Sequence, residues 1–145
     1  MKVKIIAAIL VIACISIKNN FVVAQENPED ITEHFFKLYV EQSSDTAIGY
    51  IFANNKWMNN YKAYIDNLKM QTKEFIAKIG KYYGYELIEK VVYSENYMLF
   101  NYMLRYDRQP IKISFILYKP NQTWQIQNLK LDEKLEDDIE QKSEK

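Results

Sequence analysis

The chain has 145 residues, 48% of them hydrophobic, and its 19 basic residues balance 19 acidic ones. That is the length of one ordinary globular domain; the neutral balance offers no basic field for nucleic acid, and only three Gly and three Pro exclude a collagen-like or flexible-linker chain. Aromatic residues are over-supplied, since 12 Tyr, 7 Phe and 2 Trp make 14% of the sequence, and such large amphipathic side chains either fill a core or line a surface or pocket.

Residues 1–24 have the layout of a secretory signal. Lys2 and Lys4 precede an apolar run from Ile5 to Ile17, and Val22, Val23 and Ala24 lead into the polar Gln25, Glu26 and Asn27. The run is shorter than the roughly 18–20 apolar residues of a spanning helix, and Lys18 interrupts it. A cut after Ala24 is the expectation. A rival reading takes Val11, Ile12, Ala13 and Cys14 as a lipobox with Cys14 as a lipid anchor, although Ile15 is an unusual residue to follow it. The N-terminal residue of the mature protein, Gln25 or Cys14, separates the two. Cys14 is the single cysteine, so the soluble form has no disulfide and no thiolate site. Loss of Lys2, Lys4 and Lys18 with no acidic residue leaves a mildly acidic chain. Export without cysteine points to a bacterial envelope protein, periplasmic or secreted, rather than to a disulfide-dependent extracellular domain.

The remainder reads as helices over residues 28–80 and strands over residues 85–131. The first helix has Asn27 as cap, Pro28 at its first position and Glu29 and Asp30 at the positive end of the dipole, followed by Ile31, Phe35, Leu38 and Tyr39 at helical spacing. Ser44 or Asp45 caps a short second helix carrying Ala47, Ile48, Ile51 and Phe52. A third, long helix runs from Trp57 through Tyr61, Tyr64, Ile65, Leu68, Phe75, Ile76 and Ile79, with Thr72 on the same face and Gly80 and Gly84 as stop signals.

After Gly84 the period changes to two. A first strand covers Tyr85 to Tyr93, with the doublets Leu87–Ile88 and Val91–Val92 marking an irregularity. Met98, Phe100, Tyr102, Leu104 and Tyr106 form one face of the second strand, and Ile111, Ile113, Phe115 and Leu117 one face of the third. Trp124 and Ile126 open the fourth, whose apolar phase slips to Leu129 and Leu131, as a bulge near Gln127 and Asn128 would cause. Residues 133–145 read as a charged, solvated tail in which Glu136, Asp137 and Asp138 lack the spacing of a calcium loop.

Helices followed by four antiparallel strands, with Asp45 to Phe52 as a helix entry, the strand Ile113 to Lys119, then Trp124 and a closing Leu129 to Asp132, resemble the NTF2-like superfamily over roughly residues 28–132. The resemblance implies an α+β domain over residues 25–132 in which N-terminal helices pack on a curved four-stranded antiparallel sheet, a cone that often encloses a cavity. Families of this kind contain both enzymes and non-catalytic binders, so the fold leaves activity open.

The residues exclude several chemistries. Gly49, Gly80 and Gly84 match no phosphate-cradling loop, His34 is the only histidine, and no cofactor or metal is expected. His34 lies beside Phe35 and Phe36 with no companion for nucleophilic catalysis. Asn121-Gln122-Thr123 fits an N-glycosylation acceptor. Three functions follow as expectations. The first is non-catalytic binding of a small apolar ligand or a protein partner, with Tyr61, Phe100, Tyr102 and Trp124 as ligand contacts, although the same aromatic residues, and Trp57 with them, also read as core fillers and anchors. The second is proton transfer in a cavity, with Tyr102 as donor and a carboxylate among Glu86, Glu89, Glu95 and Asp107 as base. The third is a homodimer through a sheet face carrying Tyr97, Leu99 and Met103.

Overall fold

Each helix start is set by a local signal, and the signals differ in strength. In the computed structural model, which describes residues 27–135 and 139–140, helix α1 (Pro28–Glu41) begins with Pro28 at its first position and Glu29 and Asp30 in its first turn. Asn27 occupies the cap position in an extended conformation, but its side chain makes no capping bond. Helix α2 (Ser44–Ala53) is capped one residue earlier than expected, by Ser43, whose Oγ accepts from the Thr46 N–H at 3.1 Å. Trp57 does not begin the long helix. A 3₁₀ turn covers Lys56–Tyr61, and helix α3 runs over Lys62–Ile79.

Four strands follow, β1 (Tyr82–Ser94), β2 (Tyr97–Tyr106), β3 (Ile111–Tyr118) and β4 (Gln125–Asp132), forming one antiparallel meander in chain order. The first strand begins at Tyr82 rather than Tyr85, and Trp124 lies just before β4 instead of opening it. Register pairs Phe100 with Phe115, and Phe115 with Leu129. The expected phase slip is present: Asn128 pairs with Ile116 and Ile126 with Leu117, leaving Gln127 as the extra residue. β1 shows the same device at Leu87/Glu89, and further shifts at Tyr82/Gly84 and Val92/Ser94.

The curved NTF2-like cone is not formed. Each strand pairs only with its neighbours in sequence, so β1 and β4 stand as two separate edges of an open sheet. The bulges kink individual strands without bringing those edges together, and no sheet wall wraps the helices. The α+β class and the packing of helices on a four-stranded antiparallel sheet hold; the curvature and the enclosing cone do not.

The long helix also lies elsewhere than a cone requires. The sheet is covered mainly by α1 and α2: Ile31, Phe35, Phe36, Ala47, Ile48, Ile51 and Phe52 are all buried. Phe35 meets the Phe115 ring edge-on at 5.0 Å, and Phe36 meets Tyr102 at 4.8 Å. Full burial of such rings contributes about 1.5–3 kcal/mol each. α3 rests on α2 and the 3₁₀ turn, one layer further out, with Thr72 and Ile79 its only buried residues. Its C-terminus is tied to the β2–β3 turn, where Arg108 donates from its backbone N–H to the Ile79 carbonyl at 3.0 Å and from Nη1 to the Lys78 carbonyl at 2.9 Å. These bonds satisfy carbonyls that the helix end leaves free, and they place a cation at the negative end of the dipole.

Residues 1–24, including the lipobox at Cys14, lie outside the described residues, as do Glu136, Asp137 and Asp138 of the tail. Among the described residues no helix is long and apolar enough to cross a membrane.

Candidate functional site

The expected ligand contacts are dispersed. Phe100 and Tyr102 lie in the core between α1 and the sheet. Rings of Phe36, Tyr85 and Phe115 surround Tyr102, and its hydroxyl shares a 2.8 Å hydrogen bond with Thr32 Oγ1. Trp124 is buried beneath the Lys119 ammonium, 5.1 Å from the ring centroid, and borders a concavity with Pro28, Lys90 and Glu95. Tyr61 alone of the four lines the aromatic pocket described below.

Of the four carboxylates considered as bases, Glu95 is exposed at the β1–β2 hairpin and the other three are engaged. Glu86 pairs with Arg105 at 3.2 Å, and Glu89 accepts from Asn101 Nδ2 at 2.8 Å. Asp107 accepts from the Tyr83 hydroxyl and the Lys81 N–H, each at 2.6 Å, and these two bonds hold its carboxyl below the usual range. That direction is opposite to the one that tunes a carboxylate as a general base near neutral pH. His34 leans on the Tyr50 ring at 4.4 Å. Asn121 folds its own turn, its Oδ1 accepting from the N–H groups of Gln122 at 2.6 Å and Thr123 at 3.2 Å. Among the described residues no group of three or more His, Cys, Asp or Glu is placed to hold a metal ion.

A pocket of about 600 Å³ forms where the 3₁₀ turn and the start of α3 project beside β4. Its helical wall carries Trp57, Met58, Tyr61 and Tyr64, with Phe52 at its base; its sheet side carries Tyr118, Pro120, Gln125, Gln127 and Asn128. Trp57 and Tyr61 are 64% and 57% exposed, so the expected role of Trp57 as an anchor between helix and sheet is not realised. The wall and the sheet are joined by Asn55, which is buried. Its Nδ2 donates to the Ile126 carbonyl on β4 at 2.7 Å, and its Oδ1 accepts from the Trp57 N–H at 3.1 Å. One side chain thereby covers part of a sheet edge and starts the turn that presents Trp57. The bulge at Gln127 adds a third amide to those of Gln125 and Asn128 along the same margin.

None of the lining residues is charged. The pocket volume falls within the range of ordinary small-molecule sites, which combine apolar walls with a few convergent polar groups. Of the aromatic stripe from Trp57 to Tyr64, the sequence singles out Tyr61 as a ligand contact and places Trp57 as an anchor between helix and sheet. Asn55, Gln125, Gln127 and Asn128 carried no spacing signal, since they converge only when β4 meets the 3₁₀ turn.

No family model, no curated protein and no solved structure matches this chain. The NTF2-like resemblance therefore fails on relatives as well as on the open sheet.

Proposed function

We propose that this protein is a non-catalytic binder that takes a small uncharged ligand into the pocket between Trp57 and Tyr118. The observation that carries this reading is the exposure of Trp57, Tyr61 and Tyr64 along one wall, because large aromatic surface held in water at a concave site is what ligand burial recovers. The expected apolar ligand is refined by the three amides on the facing margin, which favour a molecule with both an apolar face and polar edges. Proton transfer is less well supported, since the Tyr102 hydroxyl is already engaged with Thr32. The signal-like layout of residues 1–24 supports placing this binding in an exported protein.

The test is acrylamide quenching of tryptophan emission in the presence of uncharged aromatic, aliphatic and polyhydroxylated compounds. Trp57 is open to solvent and Trp124 is 3% exposed, so quenching reports chiefly on the pocket. Saturable protection by at least one compound, weakened by Tyr61→Ala, is the expected result. Quenching that no class of compound alters would sink the reading.

A further inference from the structure

The pocket reading leaves the chemical class of the ligand open, and four features narrow it. First, none of the lining residues is charged, and the Lys56 ammonium beside the wall is engaged with the Trp57 ring, 5.3 Å from its centroid, so a charged ligand gains little to offset its lost hydration. Second, Gln125, Gln127 and Asn128 each offer an amide donor and an amide acceptor on one margin, and none of their side chains is tied into a hydrogen bond with the described residues. Such groups match hydroxyls, which also donate and accept; a purely apolar ligand would leave all three amides desolvated and unmatched. Third, the opposite wall carries the exposed rings of Trp57, Tyr61 and Tyr64, and the negative quadrupole of an aromatic face attracts weakly polarised C–H groups. Fourth, the aromatic surface does not stop at the pocket. Tyr118 contacts Tyr97 edge-on at 6.3 Å, and Tyr97 contacts Tyr93 at 6.2 Å, so a row of rings continues from the pocket across the outer sheet face to the β1–β2 hairpin.

Resting on the pocket reading above, we propose that the ligand is a neutral saccharide chain, one sugar ring stacked on the Trp57–Tyr61 wall with its hydroxyls on the Gln125, Gln127 and Asn128 amides, and the following units running along Tyr118, Tyr97 and Tyr93. Sugar rings join the two required chemistries in one body: a C–H face for the rings and a rim of hydroxyls for the amides. A proline-rich peptide also lies on aromatic grooves, but it presents isolated carbonyl acceptors and would use only half of each amide.

The experiment is affinity electrophoresis of the full chain through gels containing neutral polysaccharides (hydroxyethylcellulose, amylopectin, galactomannan, xylan), with polygalacturonate as a charged control. It is combined with the acrylamide assay using the matching disaccharides and oligoproline. Retardation by at least one neutral polysaccharide is expected, together with an about tenfold loss of affinity in both Trp57→Ala and Gln127→Leu, two exposed positions whose replacement leaves the core intact. Tyr97→Ala is expected to weaken retention by the polymer while leaving disaccharide protection of Trp57 unchanged, which a merely structural Tyr97 would not do. If apolar uncharged compounds protect Trp57 while every neutral glycan fails, the saccharide assignment falls and the pocket reading stands. Saturation by oligoproline in place of glycans overturns it in favour of a peptide groove. Indifference of Trp57 to every compound removes both.

Discussion

Two glycines show how the same residue type serves opposite ends at the residue scale. Gly49 sits inside α2, and a Cβ there would meet only the Lys69 ammonium, at 3.2 Å, the mobile end of a long side chain. Nothing in the backbone requires glycine at this position. Gly49→Ala is therefore expected to stabilise the fold by about 0.5–1 kcal/mol through helix propensity. Gly80 ends α3 with φ of 91°, and a Cβ there would lie 2.6 Å from Asp107 Oδ2. Asp107 cannot step aside, because its carboxylate is held by the Lys81 N–H and the Tyr83 hydroxyl. Gly80→Ala is expected to cost about 1–3 kcal/mol from backbone strain alone, more with the clash. Denaturant midpoints of the two variants should move in opposite directions, and a shared direction would show that local conformation is not what separates them.

At the scale of elements, amphipathic pattern and depth of burial part company. α3 carries the longest helical stripe in the sequence, yet Thr72 and Ile79 are its only buried residues, whereas the shorter α2 buries Ala47, Ile48, Ile51 and Phe52. The start of α3 also lacks a side-chain cap, so its first N–H groups gain no protection from that source. Hydrogen exchange is expected to release amides around Lys62 to Met70 by local opening well before those of α2 or of the central strands β2 and β3; equal protection across the three helices would contradict this. The strands were legible because a period of two names the buried face directly: Phe100, Tyr102, Leu104, Ile111, Ile113, Phe115 and Leu117 are all buried. The bulge at Gln127 was legible for the same reason, as a break in that period. What covers a helix stripe is a tertiary fact with no period of its own, so the layer beneath α3 was not legible. Neither was the separation of Trp57 from the core, nor the open edge of the sheet at β4. The pocket depends on all three, and only its aromatic residues, not their exposure or their amide partners, could be read in advance.

On the scale of the whole molecule, one polar cluster joins the helical layer to the sheet. Tyr39 of α1, Tyr82 of β1 and Tyr106 of β2 bring their rings together, with Tyr39 and Tyr82 centroids 5.6 Å apart and Tyr82 and Tyr106 centroids 5.4 Å apart. The Tyr39 and Tyr106 hydroxyls are hydrogen-bonded to each other. Burial raises all three phenol pKa values, and neighbouring phenols raise those of Tyr39 and Tyr82 further; Tyr82 is pushed up to about 12, and Tyr39 lies higher still. An unfolded tyrosine gives up its proton near pH ~10. Below that pH the folded and unfolded chains hold the same phenolic protons, and the stability contributed by the cluster is fully present. Above it the unfolded chain releases protons that the folded chain retains, so ∂ΔG/∂pH is negative and stability is lost progressively as pH rises from about 10 toward the folded values. Urea midpoints are expected to stay level as pH approaches about 9 and to decline from about 10 upward. Tyr39→Phe removes the phenol whose pKa is raised most, so its midpoint should decline less steeply than that of the parent protein over the same interval. Lysine deprotonation in that range is common to both proteins and cancels in the comparison. Parallel declines would show that the cluster does not set the alkaline limit, whereas convergence or crossing of the two curves above pH ~10 would locate that limit at the junction of α1, β1 and β2.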